Sequence, residues 1–282
     1  MMSSMCETPL LILGNGEHRS VAVGLNQVVV TFNGVDRGGS FDRHVEVLNA
    51  ARSGSGEDHL TLHANVEELD SWVSELEAFL GSTCRASQDE LGAVPSTGFS
   101  VVHALWSRHT SVRISGMSFD PSLLRPRSLG NRTPLPQMFH NWLGERRASF
   151  GRWIRSPNRG WSWPLMDLSG TLASPGEAYD HRELLDALDL AKTTGCMAFL
   201  SEQSRSPICP DEALLRGTSG TMALEQCFYL ERGKSETTNW WLYDADASMI
   251  IDRLAAHLRE AQRQAFAKAM SQSPAIARTA SA

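Results

Sequence analysis

The chain has 282 residues, a formal net charge of −6 and 41% hydrophobic residues. That length allows a substantial buried core, and the negative charge argues against a general nucleic-acid-binding protein. Five cysteines at wide spacings, with no C-x-x-C pair, argue against a zinc cage and indicate reduced thiols in a cytoplasmic protein.

Residues 1–9 are predicted to be disordered, and they lack the basic region of a signal peptide. No apolar run reaches the length of a membrane span, although peripheral attachment to a membrane stays open. The first apolar run, Leu10 to Leu13, predicts a buried parallel strand that ends at Gly14. Asn15 and Gly16 follow it, and a strand that leads into Gly-x-Gly is typical of phosphate sites in α/β folds.

Two further apolar runs predict a second strand that leads to Asn33 and a third that leads to Asn49. If these strands are parallel neighbours, Asn15, Asn33 and Asn49 line one crevice at the carboxyl edge of the sheet. The alternative is turn chemistry, because Asn tolerates a left-handed backbone. A dinucleotide site is less favoured, since Arg19 stands where the third glycine of G-x-G-x-x-G would be.

The next segments predict a helix, a loop and another strand. Residues 65–80 have apolar side chains at helical spacing after a capping Asn65. Ser96, Thr97 and Gly98 precede a second helical pattern, which places hydroxyls and free N–H groups at a helix start. A strand over residues 111–115 then runs into Gly116.

Arginine is concentrated between Arg108 and Arg159. This segment contains ten arginines, and its only acidic residues are Asp120 and Glu145. The planar fork of arginine suits phosphate and carboxylate groups, although a solvated basic face is an equal alternative. Within this block, the Arg- and Pro-rich stretch of residues 123–137 has no periodicity. It is predicted to be either a mobile lid or a plain surface loop.

The remainder gives fewer signals. Tryptophans 142, 153, 161 and 163 are expected in a core rather than at a sugar ring. Residues 181–192 and 245–270 predict amphipathic helices, and residues 228–230 a late strand. Together the patterns predict one α/β domain over residues 10–265, with a Rossmann-like, mostly parallel sheet, flanking helices, a lid-like segment near 121–160 and a disordered tail over 266–282.

The order and spacing of these predicted strands, helices and polar residues resemble those of bacterial sialyltransferase-type glycosyltransferases, which use CMP-activated sugars. The chain also resembles the related proteins labelled urease operon accessory proteins. The resemblance rests on strand ends in Gly-Asn-Gly, Phe-Asn and Leu-Asn, on Ser-Thr-Gly before a helix, on Ile-Ser-Gly-Met-Ser-Phe, and on His-Asn-Trp at His140. It covers roughly residues 10 to 152.

The resemblance implies a GT-A-like variant of the fold and an inverting, metal-independent transfer. A sialic acid or a related 3-deoxy-ulosonic acid would move from its CMP-activated donor to a glycan hydroxyl, with no cofactor. His140 would be the general base, since an imidazole is suited to accept a proton near neutral pH. The implied donor and nucleotide contacts are Asn15, Gly16, Asn33, Asn49, Ser96, Thr97, Gly98, Gly116 and Phe119.

Two departures from the family pattern stand out. Thr31 replaces an arginine that often precedes the second-strand Asn, and the tyrosines that steady the leaving phosphate have no counterpart. Arg125, Arg127 or Arg132 are candidates to replace those tyrosines electrostatically. The alternatives are a non-catalytic accessory or interaction protein that keeps the nucleotide fold and, less favoured, a Rossmann-type oxidoreductase.

Overall fold

The computed structural model describes residues 8–16, 22–24, 26–34, 41–50, 59–130, 133–157, 160–169, 178–231 and 239–272. The chain forms two compact units, each with its own core. The first comprises Met1–Asp89, Pro95–Ser118 and Asn158–Asp167, and the second comprises Glu90–Val94, Phe119–Pro157 and Leu168–Ala282. The single domain predicted over residues 10–265 is therefore divided between two units. The predicted lid segment contributes a buried helix to the second.

The strands are β1 (Leu10–Leu13), β2 (Val28–Phe32), β3 (His44–Ala50), β4 (His59–Ala64), β5 (Val112–Ser115) and β6 (Trp161–Ser162). The helices are α1 (Asp70–Leu91), α2 (Thr97–Leu105), α3 (Trp142–Arg155), α4 (His181–Thr194), α5 (Ala198–Gln203), α6 (Ser219–Gln226) and α7 (Ala245–Gln272). Short 3-10 turns cover Glu67–Leu69, Pro136–Phe139, Pro164–Met166, Glu212–Leu215 and Trp240–Tyr243.

The sheet of the first unit has the strand order β4-β3-β2-β1-β5-β6. All neighbouring pairs are parallel except β3 and β4. β1 lies between β2 and β5 and is buried along its whole length, as its uninterrupted apolar sequence predicted. This confirms an α/β fold with a mostly parallel sheet flanked by helices. The antiparallel edge strand β4 had no prediction.

Tryptophans fill part of the first unit's core, as expected. Trp161 and Trp163 are buried, and their ring centroids lie 4.9 and 6.5 Å from that of Trp106. The indole N–H of Trp161 donates to the carbonyl of His109, and that of Trp163 donates to the carbonyl of Met117. Each buried ring therefore keeps its polar atom satisfied.

The second unit is built on a helical core in which α3, α4, α6 and α7 share buried apolar side chains. The predicted helix over residues 181–192 is confirmed as α4, which begins at a capping Asp180 and ends at Gly195 in a left-handed conformation.

Three local predictions are wrong. Residues 228–230 form turn and bend structure, not a strand. Asn65 is not a helix cap: its side chain accepts from the backbone N–H of His44 and donates to the carbonyl of Phe41, so it ties β3 to the preceding loop. The disordered tail predicted over residues 266–282 is wrong in its first part: the helix predicted over residues 245–270 is present as α7 and continues to Gln272, and Phe266 is buried with its ring centroid 4.4 Å from that of Phe150.

Candidate functional site

The carboxyl edge of the parallel strands in the first unit collects most of the predicted site residues. Asn15, Asn33 and Asn49 lie at or just beyond the ends of β1, β2 and β3, which are parallel neighbours. The chain continues from β1 to β2 on one side, whereas β5 pairs on the other. The reversal of strand order beside β1 is the position where open α/β sheets bind ligands.

Gly14 and Gly16 let the segments that follow β1 and β5 run side by side. The N–H of Gly14 donates to the carbonyl of Ser115 at 2.8 Å, and that of Gly16 donates to the carbonyl of Gly116 at 2.9 Å. A Cβ at Gly16 would lie 2.9 Å from the same carbonyl oxygen. The two glycines thus have a packing role, and their N–H groups are engaged within the protein rather than free for an anion.

Replacing Gly14 by alanine is expected to lower the free energy of unfolding by about 1–3 kcal/mol or more. The added Cβ would lie 2.4 Å from the carbonyl oxygen of Gly116, a backbone atom that cannot move cheaply. Urea denaturation followed by circular dichroism measures the loss. Gly24→Ala is the matched control in the same unit, because its nearest neighbour would be 3.7 Å away. Equal stability of the two variants would contradict the packing role.

Asn33 and Asn49 are joined at the ends of β2 and β3. Asn33 has a left-handed backbone (φ 58°), and its Oδ1 accepts a hydrogen bond of 2.9 Å from the backbone N–H of Asn49. The Oδ1 of Asn49 is itself buried and accepts no hydrogen bond from the described residues. The turn chemistry considered for Asn33 is therefore present. Asn49, in contrast, offers an acceptor to which no described residue donates.

The N-terminus of α2 completes this edge. Ser96 caps the helix, since its hydroxyl accepts from the N–H of Phe99 at 3.2 Å, as predicted for this position. A Cβ on Gly98 would lie 2.8 Å from Met117 Cε and 3.8 Å from the Phe32 ring. The first turn of α2, with Thr97, therefore lies next to the ends of β2 and β5. The first N–H groups of a helix have no partner within it and favour an anion.

Thr31 has a structural partner on the sheet. Its side chain is buried, and its hydroxyl lies 2.8 Å from Nε2 of His44. Burial lowers the pKa of His44 even though Glu46 acts to raise it. The position where the resembling family often has an arginine is thus used here for packing between β2 and β3.

The remaining predicted residues belong to the second unit, and Arg132 lies outside the described residues. Phe119 is buried with a φ of 50°, and its ring lies 6.2 Å from that of Trp142. Arg125 is buried, and its guanidinium donates to the carbonyls of nearby loop residues. Arg127 is exposed and pairs with Asp246 at 2.5 Å. Both arginines are therefore engaged within their own unit.

His140 lies directly before α3 but does not cap it. The cap is Asn141, whose Oδ1 accepts from the N–H of Gly144 at 2.9 Å. His140 is half-buried, its ring contacts Trp142 edge-on at 5.2 Å, and its Nδ1 lies 3.3 Å from the carbonyl oxygen of Val94. A proton on Nδ1 would donate to that carbonyl.

A buried ion pair near the start of α3 had no sequence signal. Glu225 accepts from Arg147 through Nε at 2.6 Å and Nη2 at 3.1 Å, and from Asn141 Nδ2 at 3.0 Å. Both carboxylate oxygens are occupied by these donors, so the cluster is a structural one. Arg147 and Glu225 are separated by 78 positions in the sequence, which explains why periodicity could not reveal the pair.

Within the described ranges, no group of three or more His, Cys, Asp or Glu residues could hold a metal ion. In the same part of the chain, no helix combines the length and apolar character needed to cross a bilayer. The described residues form an α/β fold in which Asn15, Asn33, Asn49 and the start of α2 lie at the carboxyl edge of a mostly parallel sheet. Comparisons of the chain with protein-family models, curated proteins and solved structures find no match.

Proposed function

We propose that the first unit binds the nucleotide part of a CMP-activated sugar at the carboxyl edge of its sheet. The observation that carries this proposal is the convergence of the α2 N-terminus with the ends of β1, β2 and β5. A phosphate group at Thr97 and Gly98 would accept from backbone N–H groups at the start of the helix and gain from the helix dipole.

The polar groups at this edge suit a ribose or a base. Asn15 and Asn33 are exposed amides, and the buried Oδ1 of Asn49 accepts no hydrogen bond from the part of the chain that the structure describes. A ligand hydroxyl or amino group that donated to Asn49 would remove the cost of a buried unpaired acceptor. Such an amide-rich site can read hydroxyls and ring edges without adding charge.

The proposed reaction is glycosyl transfer. A glycan hydroxyl oxygen would form a bond to the anomeric carbon of a sialic acid or related sugar, the bond from that carbon to CMP would break, and His140 would accept the hydroxyl proton. This role of His140 rests on the resemblance described above. Transfer without a divalent ion is part of the same proposal, and it would survive EDTA.

The second candidate is a non-catalytic accessory protein that retains nucleotide binding. The contacts of Arg125 with loop carbonyls and of Arg127 with Asp246 favour it, because these arginines were the candidates to stabilise a leaving phosphate. A Rossmann-type oxidoreductase is the least favoured, since the N–H groups of Gly14 and Gly16 are already bonded to the segment after β5.

Calorimetric titration of the full chain with CMP, UDP and NADH tests the proposal. Preferential binding of CMP supports a CMP-sugar site, whether or not the protein catalyses transfer. Preference for UDP would indicate another nucleotide-sugar class, and preference for NADH an oxidoreductase. Binding of none of the three would overturn the assignment of this edge as a nucleotide site.

Replacing Asn15 by alanine is expected to weaken CMP binding by about 1–3 kcal/mol, the cost of leaving a ligand group without its partner. Calorimetry measures the change. Asn26→Gly is the matched control: Asn26 precedes β2 at the opposite edge, and glycine accepts its left-handed backbone (φ 63°). CMP affinity that is unchanged in Asn15→Ala would count against the proposed placement of the nucleotide.

A further inference from the structure

A cleft with a volume of about 740 Å³ lies within the second unit, between the start of α4, the segment of residues 209–218 and Lys268 of α7. This volume falls in the range of about 300–1,000 Å³ that small-molecule sites occupy. Neither the resemblance nor the proposed function gives this cleft a role. Its lining combines apolar surface from Tyr179, Pro210 and Ala213 with charged groups of both signs.

The charges in the cleft are only partly paired. Arg216 pairs with Glu212 at 3.2 Å, which leaves the side chains of Arg182 and Lys268 without an ion pair to any described residue. On the acidic side, the Oδ1 atoms of Asp180 and Asp211 accept from backbone N–H groups at 2.9 Å. Each of these carboxylates therefore caps a helical turn and still brings a negative charge to the cleft.

His181 is buried behind these two aspartates, with a side-chain exposure of 7%. Its Nδ1 forms no hydrogen bond with the part of the chain that the structure describes, although it lies 3.1 Å from Asp180 Oδ1 and 3.7 Å from Asp211 Oδ2. The imidazole thus points at the two carboxylates that line the cleft.

Tyr179 lines the cleft, and its hydroxyl is buried without a hydrogen-bond partner among the residues described. Burial raises the pKa of Tyr179 to about 12, so the hydroxyl stays protonated near neutral pH. The hydroxyl is therefore neutral and is able to donate and to accept a hydrogen bond.

We propose that this cleft binds a small zwitterion, namely an amino acid or a short peptide with free termini. The ammonium group of the ligand would lie against Asp180 and Asp211. Its carboxylate would face Arg182 and Lys268, because a planar guanidinium and an ammonium group both suit that partner. A cleft lined by groups of both charges favours a ligand that itself carries both charges over a simple anion or cation.

Calorimetric titration of the full chain with L-alanine and with tri-alanine tests the proposal and distinguishes an amino acid from a peptide. Binding of either probe at millimolar concentration is expected. Acetylation of the amino group and esterification of the carboxyl group of the bound probe should each weaken binding about ten-fold or more, the effect of losing one charge-assisted hydrogen bond.

Two variants assign the charges. Arg182→Gln should weaken the unmodified probe about ten-fold and leave the affinity of its ester unchanged. Asp211→Asn should weaken binding of the unmodified probe about ten-fold and leave the affinity of the acetylated probe unchanged. Asparagine keeps the cap of the 3-10 turn and removes only the charge. Arg205→Gln and Asp186→Asn, at exposed positions outside the cleft lining, are the matched controls.

Thermal unfolding of each variant checks that the fold is kept. Failure of the unmodified probes to bind would overturn the proposal. An equal loss of probe affinity in the control variants would also overturn it. So would equal affinity for the unmodified probe and for its acetylated and esterified forms. None of these results depends on the nucleotide site of the first unit.

Discussion

Replacing His140 by alanine is expected to lower the rate of sugar transfer by a factor of about 10² to 10⁴, the usual effect of losing a general base. The attacking hydroxyl must lose its proton as the new bond forms, and His140 is the proposed acceptor of that proton. CMP affinity should stay nearly unchanged, since the proposed nucleotide contacts of the first unit do not include His140. Mass-spectrometric detection of transfer from CMP-sialic acid to a panel of glycans measures the rate.

His257→Ala is the matched control, a half-buried histidine of the same unit on α7. Transfer at the wild-type rate by His140→Ala would show that His140 is not the base. If the wild-type protein binds CMP and transfers no sugar, the accessory-protein alternative holds. Loss of wild-type transfer in EDTA, with recovery on adding Mg²⁺ or Mn²⁺, would contradict the metal-independent mechanism.

Replacing Glu225 by glutamine is expected to destabilise the second unit by about 3–5 kcal/mol, because the buried charge of Arg147 would lose its partner. Arg147 and Glu225 have side-chain exposures of only 3% each. Burial acts to lower the pKa of Arg147, but the hydrogen bonds and charge of Glu225 prevail and raise it. Urea denaturation, with hydrogen exchange of α3 and α6 amides to localise the effect, measures the loss.

Glu212→Gln is the control for the buried pair. Glu212 pairs with Arg216 at 3.2 Å on the surface of the same unit, where an ion pair contributes about 1 kcal/mol or less. In addition, Arg147→Met combined with Glu225→Met should recover much of the stability lost in Glu225→Gln, since neither charge then remains buried alone. A loss in Glu225→Gln no larger than in Glu212→Gln would refute the assignment of this pair.

Local sequence patterns predicted the first unit well where one short segment carries all the information. The apolar run of β1 requires burial on both faces, and this alone predicts a central parallel strand. Ser96 before an apolar helical pattern predicted the start of α2, because its hydroxyl can satisfy a helix N–H without any distant partner. The placement of Asn15, Asn33 and Asn49 at one edge followed from the same strand pattern.

The predictions failed where a residue's partner lies far along the chain. Asn65 has the sequence context of a cap, yet its amide binds the backbone around β3 instead. From the sequence, Arg125 and Arg127 were candidate phosphate ligands in a loop. In the structure, Arg125 donates to loop carbonyls and Arg127 pairs with Asp246 of α7. A side chain with several donors forms hydrogen bonds with the acceptors that lie near it in the folded protein. The neighbouring sequence does not reveal which acceptors those are.

The sequence by itself therefore determined the α/β class, the buried strands and the capped start of α2, because burial and capping are satisfied by neighbours within a few residues. Only the tertiary structure decided that Gly14 and Gly16 pack on Gly116, that Glu225 neutralises Arg147, and that a cleft of mixed charge forms beside α4. Each of these features joins segments that are remote in sequence. Close packing and buried charge depend on which atoms meet in space, and that is fixed only when the chain has folded.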